Sequence, residues 1–153
     1  MGAEANLVER NITLPEAPTP VANYVSAKQV GNLLYLSGHG PMVDGEYIAG
    51  KVGAELDIAA AQNAARQTGL NLLATTRRVL GSLDRVRNVV KALGMVNAVP
   101  DFKDHPTVIN GFSDLMVEVF GEEIGKHARS AVGMGSLPGQ IAVEIEVILE
   151  IDP

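Results

Sequence analysis

The chain reads as an α+β protein in which two helices cover one face of a mixed sheet, and three features predict it. Apolar residues occupy every odd position from Ile141 to Ile151, with Glu144, Glu146 and Glu150 between them. That is the period-2 pattern of a strand with one buried face. Ile58, Ala61, Ala65, Leu72, Thr76, Val79 and Leu80 fall close to one helical stripe. The Val-rich run 86–99 and a second helical stretch from Pro106 complete the order strands, helix, strand, helix, strands.

At 153 residues the chain fits a single domain over 1–153. Leu7 to Leu14 suggests a short strand, and the three prolines of 15–20 an extended connector, so residues 1–22 are expected as an extended N-terminal segment. Tyr24 to Gln29 and Leu33 to Ser37 read as strands around a Val30-Gly31-Asn32 turn, followed by a Gly-rich loop from Gly38 to Gly53 in which Asp44-Gly45 makes a turn. Asp57 is the expected N-cap of the first helix, Arg77 and Arg78 suit the dipole of its last turn, and Gly81 should end it. The 86–99 strand stops at Pro100, and the second helix should run from Pro106 to Gly121. Ser136-Leu137-Pro138-Gly139 offers turn chemistry for an antiparallel hairpin between the 128–134 and 141–151 strands. Two helices leave one sheet face uncovered, which predicts a homo-oligomer whose sheets meet around a shared centre.

Composition narrows the function classes. A net charge of −6 and 4% aromatic content, with no Trp, argue against nucleic acid as partner. Cysteine is absent, which excludes disulfides, thiolate nucleophiles and Cys-based zinc sites. His39, His105 and His127 stand at no zinc-ligand spacing, so no metal is expected. No apolar signal region or membrane-spanning stretch is evident, and a cytoplasmic location is expected. Arg77, Arg78, Arg85, Arg87 and Lys91 form the one basic cluster, read mainly as a helix end.

The candidate site centres on Arg129. In the expected hairpin it shares a face with Glu144 or Glu146, while Ala131 and Gly133 leave room beside it. A small planar ligand bearing a carboxylate would suit the fork of donors that an arginine presents.

These residues resemble the YjgF/Rid family of imine and enamine deaminases, also called the endoribonuclease L-PSP family. The likeness spans roughly Asn23 to Ile151. Its most specific part is Ala128-Arg129-Ser130-Ala131-Val132, Leu137-Pro138 and Val143-Glu144-Ile145-Glu146, with Leu36-Ser37-Gly38 as a weaker part. The resemblance implies a chorismate-mutase-like fold, a homotrimer with sites in clefts between subunits, and cofactor-free hydrolysis of 2-imino or enamino acids to 2-keto acids and ammonia. It implies that Arg129 binds the substrate carboxylate and that Glu144 holds or activates water. Tyr24, Ser37 and Gly38 would line the pocket. Ala131 stands where close members have cysteine, and His39 where glutamine is common, from which it could reach the pocket. The asparagine that members carry early in the second helix is matched in register by Ile109, with Asn110 one position off. The segments Asn110-Gly111-Phe112-Ser113-Asp114 and Val119-Phe120-Gly121-Glu122 resemble a longer subgroup of the family. Alternatives are a non-catalytic carboxylic-acid binder, acting as a sensor or chaperone, and a ribonuclease.

Overall fold

The computed structural model describes residues 1–20 and 22–153. Its longest helix, α2 (Ile58–Leu80), begins where Asp57 accepts the Ala60 N–H at 2.8 Å and ends at Gly81 in the left-handed conformation, φ 83°. Both ends follow from sequence chemistry: a short carboxylate satisfies an orphan N–H, and glycine takes a positive φ without steric cost. The second long helix, α3 (His105–Gly125), carries Val108, Ile109, Phe112, Leu115, Met116 and Val119 into the core. It extends beyond the expected end because Gly121, at φ 81°, kinks the chain rather than stopping it.

Five strands form the main sheet: β1 (Ala27–Val30), β2 (Leu33–His39), β5 (Val86–Asn97), β6 (Ala128–Met134) and β7 (Val143–Ile151), in the spatial order β1-β2-β7-β5-β6. A separate small hairpin, β3 (Met42–Val43) and β4 (Glu46–Tyr47), closes on Asp44-Gly45. The odd residues of β7 are all buried, beneath α2 and α3. Tyr35 and Val132 remain exposed on the opposite face.

The expected β6–β7 hairpin does not form. β5 lies between the two strands, pairing parallel with β6 and antiparallel with β7. The 135–142 connection is committed elsewhere: the Ala142 N–H donates to the Ile48 carbonyl, the Asn97 N–H to the Ala142 carbonyl, and the Gly50 N–H to the Gln140 carbonyl. Meanwhile β5, α3 and β6 make a β-α-β crossover, the usual way to join parallel neighbours.

The N-terminus is also corrected. Residues 3–9 form a helix, α1 (Ala3–Glu9), where a short strand at 7–14 was expected. Ala3 and Leu7 lie one turn apart and are both buried, against α3 and the 83–85 turn. Glu4 binds Arg77 through two hydrogen bonds, 2.6 and 3.2 Å, and accepts the Leu83 N–H at 2.9 Å. Residues 12–20 have no regular structure, as expected of the proline segment 15–20 but not of the strand expected through Leu14; the part of residues 1–22 at position 21 lies outside the described residues. The first strand starts at Ala27, so Tyr24 and Val25 precede it.

Helices α2 and α3 approach closely because small residues line their contact. A Cβ at Gly111 would stand 2.1 Å from the Gln62 carbonyl oxygen, with backbone as the obstacle. Gly111→Ala should therefore cost about 2 kcal/mol or more of unfolding free energy, the scale of core overpacking. Denaturant titration checks this, and an unchanged midpoint would contradict the close approach.

Candidate functional site

Register assigns each site residue a face, because laterally paired residues point the same way. Arg129 stands level with Ala92, which stands level with Val147. That row is on the helix side, where Ala92 and Val147 are buried. Glu144 pairs with Met95 and so with Val132, on the uncovered side. The expectation that Arg129 and Glu144 share a face within one chain is thus overturned. One strand inserted between them, with no change in their own alternation, puts them on opposite sides of the sheet.

On the uncovered side, Glu144 meets a β-bulge. The β2–β7 ladder slips between Leu36 and His39, displaying Ser37 and Gly38. A Cβ at Gly38 would lie 2.6 Å from Glu144 Oε1, so only glycine admits the carboxylate here. Ser37 Oγ donates to the Val25 carbonyl at 2.7 Å, tying the bulge to the segment carrying Tyr24. A hollow of about 770 Å³ beside the bulge is lined by Tyr24, Ser37, Lys28, Lys91, Ser130 and Glu146, among others. The sheet therefore brings together Tyr24, Ser37 and Gly38, with Glu144 against the glycine and Glu146 in the hollow.

Burial pushes the Glu144 carboxyl above its ordinary value, and the neighbouring Glu146 charge adds to the rise. Among the described residues, no cation lies within ion-pairing distance of Glu144.

His39 is the bulge's anchor rather than a lining group of that hollow. Its Nδ1 donates to the Ser37 carbonyl at 2.6 Å, and Thr75 of α2 donates to Nε2 at 2.8 Å. Burial lowers its pKa against the opposing pull of the Ser37 carbonyl, with Arg78 lowering it further. Both ring nitrogens are occupied, which leaves neither for a substrate.

On the helix side, the space expected beside Arg129 is filled. Ala131 packs against the core, and a Cβ at Gly133 would stand 2.5 Å from His105 Nε2. Arg129 Nη1 donates to Ser113 Oγ at 3.0 Å and Nη2 to the Pro106 carbonyl at 3.3 Å. Pro106, Asn110 and Ser113 follow i, i+4, i+7 spacing on α3, so Asn110 shares the stripe that reaches Arg129. Ile109 is core: a Cβ at Gly94 would collide with its side chain at 2.7 Å. Sequence reasoning missed Ser113 and His127, which bond to each other at 3.0 Å. The available signal was the alternation that sets His127 two residues before Arg129.

The basic cluster is largely compensated. Arg77 pairs with Glu4, while Arg85 and Arg87 both face Asp152. Arg78 donates to the Pro18 carbonyl and to Ser26. Among the described residues, no three His, Cys, Asp or Glu side chains converge as a metal site, and no helix is long and apolar enough to cross a membrane.

Comparison with known proteins agrees with this architecture. Residues 4–145 match the family described as "YjgF/chorismate mutase-like, putative endoribonuclease". Protein TCP17 of Trypanosoma cruzi is 44% identical over 97% of this chain and 93% of its own. A 2-iminobutanoate/2-iminopropanoate deaminase of Dermatophagoides farinae is 35% identical over 94% of this chain and 98% of its own. The crystal structure of Atu1372, a protein of unknown function from Agrobacterium tumefaciens, superposes with a TM-score of 0.90 at 46% identity, covering 98% of this chain and 92% of that one.

The Glu144 environment has a direct readout. In carbon-13 NMR titration its carboxyl should lose its proton above 4.5, the ordinary value, and Glu146→Gln should move the midpoint down by removing a like charge. A midpoint at or below 4.5, or one unmoved by that substitution, would contradict the assigned causes.

Proposed function

The chain belongs to the YjgF/chorismate mutase-like family, and on that premise we propose that it hydrolyses reactive 2-imino and enamino acids to 2-keto acids and ammonia. The observation that carries this reading is Glu144: a half-buried carboxyl with a raised pKa and no cationic partner among the described residues, set against a glycine at a bulge. A carboxyl poised nearer neutrality than an ordinary glutamate suits a group that must take up a proton and return it.

The site is proposed to lie between copies of the chain in a homotrimer. Within one copy Arg129 and Glu144 are on opposite faces, yet β6 is an edge strand whose outer backbone groups and nearby Arg129 are available to a neighbour. The uncovered sheet face exposes Tyr35 and Val132, apolar surface of the kind that oligomers bury. A neighbour presenting its Ser37-Gly38 bulge to this edge would bring the arginine of one copy to the glutamate of the next.

In that cleft the chemistry needs little. Arg129 grips the substrate carboxylate and places the iminium carbon beside a water held by Glu144. Glu144 accepts a proton as the water oxygen bonds to carbon, giving a carbinolamine. It then returns that proton to nitrogen, and as the carbon–nitrogen bond breaks the carbinolamine hydroxyl gives its own proton to the departing ammonia, which leaves as ammonium while the oxygen becomes the keto-acid carbonyl. Water supplies the oxygen, and no electrons change hands. Tyr24 and Ser37 line the pocket. The match to an imine deaminase across nearly the whole chain supports this class of reaction.

Turnover tests the proposal. With 2-aminoacrylate generated enzymatically, the protein should accelerate keto-acid release, and Arg129→Ala should lower kcat/KM by at least about 30-fold, the cost of stranding a buried ionic partner. Wild-type protein with no rate above the buffer blank would reject hydrolysis. If it still bound keto acids, a carboxylate-binding role would stand in its place.

A further inference from the structure

We infer that Ser113 and His127 form a positioning pair that fixes the guanidinium of Arg129 for a substrate carboxylate, an assignment that rests on the reading of Arg129 as the carboxylate clamp. Hydrogen-bond direction carries it. His127 Nδ1 lies 2.7 Å from the Gly125 carbonyl oxygen, which can only accept, so Nδ1 carries the proton. The neutral ring then has an acceptor at Nε2. Ser113 Oγ, 3.0 Å away, must donate its single proton there. With that proton committed, the hydroxyl presents lone pairs to the Arg129 Nη1 donor at 3.0 Å. Each group has one available role, and the chain of donors runs in one direction from guanidinium to carbonyl.

The chain is held at both ends. The Phe112 ring meets the His127 ring edge-on, with centroids 5.5 Å apart. Burial lowers the His127 pKa, the Gly125 carbonyl opposes this, and the Arg129 charge lowers it further, so the ring keeps the neutral form that the relay requires. Arg129 Nη2 is tied separately to the Pro106 carbonyl. These bonds use part of the guanidinium fork and leave its other donors for a carboxylate. A flexible arginine would have to be ordered each time substrate binds; one already ordered binds with less entropic loss.

The pair acts through Arg129, so its removal should weaken carboxylate binding more than the chemical step. Ser113→Ala and His127→Phe should each raise KM, and the Kd for pyruvate measured by calorimetry, by about tenfold, with kcat within about twofold. Ser113→Thr keeps the hydroxyl and should stay near wild type. The double variant should be no worse than either single one, because both break the same chain. The proposal is overturned if Ser113→Ala leaves KM and Kd unchanged, if Ser113→Thr is as impaired as Ser113→Ala, or if the two losses multiply in the double variant. Arg129→Ala separates the two claims. If it too leaves pyruvate affinity intact, the clamp itself is wrong; if it alone abolishes affinity, only the positioning pair is lost.

Discussion

Everything in this molecule turns on β5 being hydrogen-bonded along both edges. A twelve-residue strand in mid-sheet needs a neighbour on each side to satisfy its backbone, and it takes β7 antiparallel and β6 parallel. That double ladder fixes the face of every residue in the three strands. The buried odd positions of β7 are the strongest constraint within it, because a one-residue slip would turn Glu144 and Glu146 into the apolar core and expose five buried aliphatic residues. The helices then have one face to cover, and small residues such as Gly111 let them cover it at close range.

From this constraint the two chemical groups inherit different surroundings. Arg129 sits at the sheet's rim on the helix side, oriented by hydroxyl and carbonyl acceptors from α3. Glu144 sits on the uncovered side, partly desolvated and close to a second carboxylate. Neither neutralises the other within one copy, and this keeps each available. An arginine paired internally with a glutamate would have to give up that partner before gripping a substrate. Much of the remaining positive charge is bound up in structure, as with Arg77 on Glu4 and Arg85 on Asp152, which leaves little of a tract for a polyanion to follow.

Much of the fold was legible because local chemistry encodes it. Asp57 and Gly81 mark both ends of α2, and alternation marks β7. What alternation cannot encode is the partner: period 2 says which side chains share a face of one strand and nothing about which strand lies beside it. The hairpin expectation failed for that reason, and the shared face of Arg129 and Glu144 failed with it. The N-terminal helix was missed because Ala3 and Leu7 gain from docking on α3, a tertiary effect absent from a seven-residue window. In the site, Tyr24 and Ser37 line the same hollow, and Gly38 stands against Glu144. His39 turned inward because the bulge after Leu36 reverses the parity of the residues beyond it, and a bulge has no period to read. Ser113 lay within the longer-subgroup segment but carried no assigned role, since its relevance depends on α3 crossing over β6.

The proposed chemistry requires a site that joins Arg129 of one copy to Glu144 of another. The most direct measurement is complementation between Arg129→Ala and Glu144→Gln chains, each inactive alone, co-expressed under different tags and purified as mixed assemblies. In a three-membered ring that contains both variants, one interface of the three joins an intact arginine to an intact glutamate, and imine hydrolysis should recover to about one third of the wild-type rate. Mixed assemblies as inactive as either variant alone would contradict the claim.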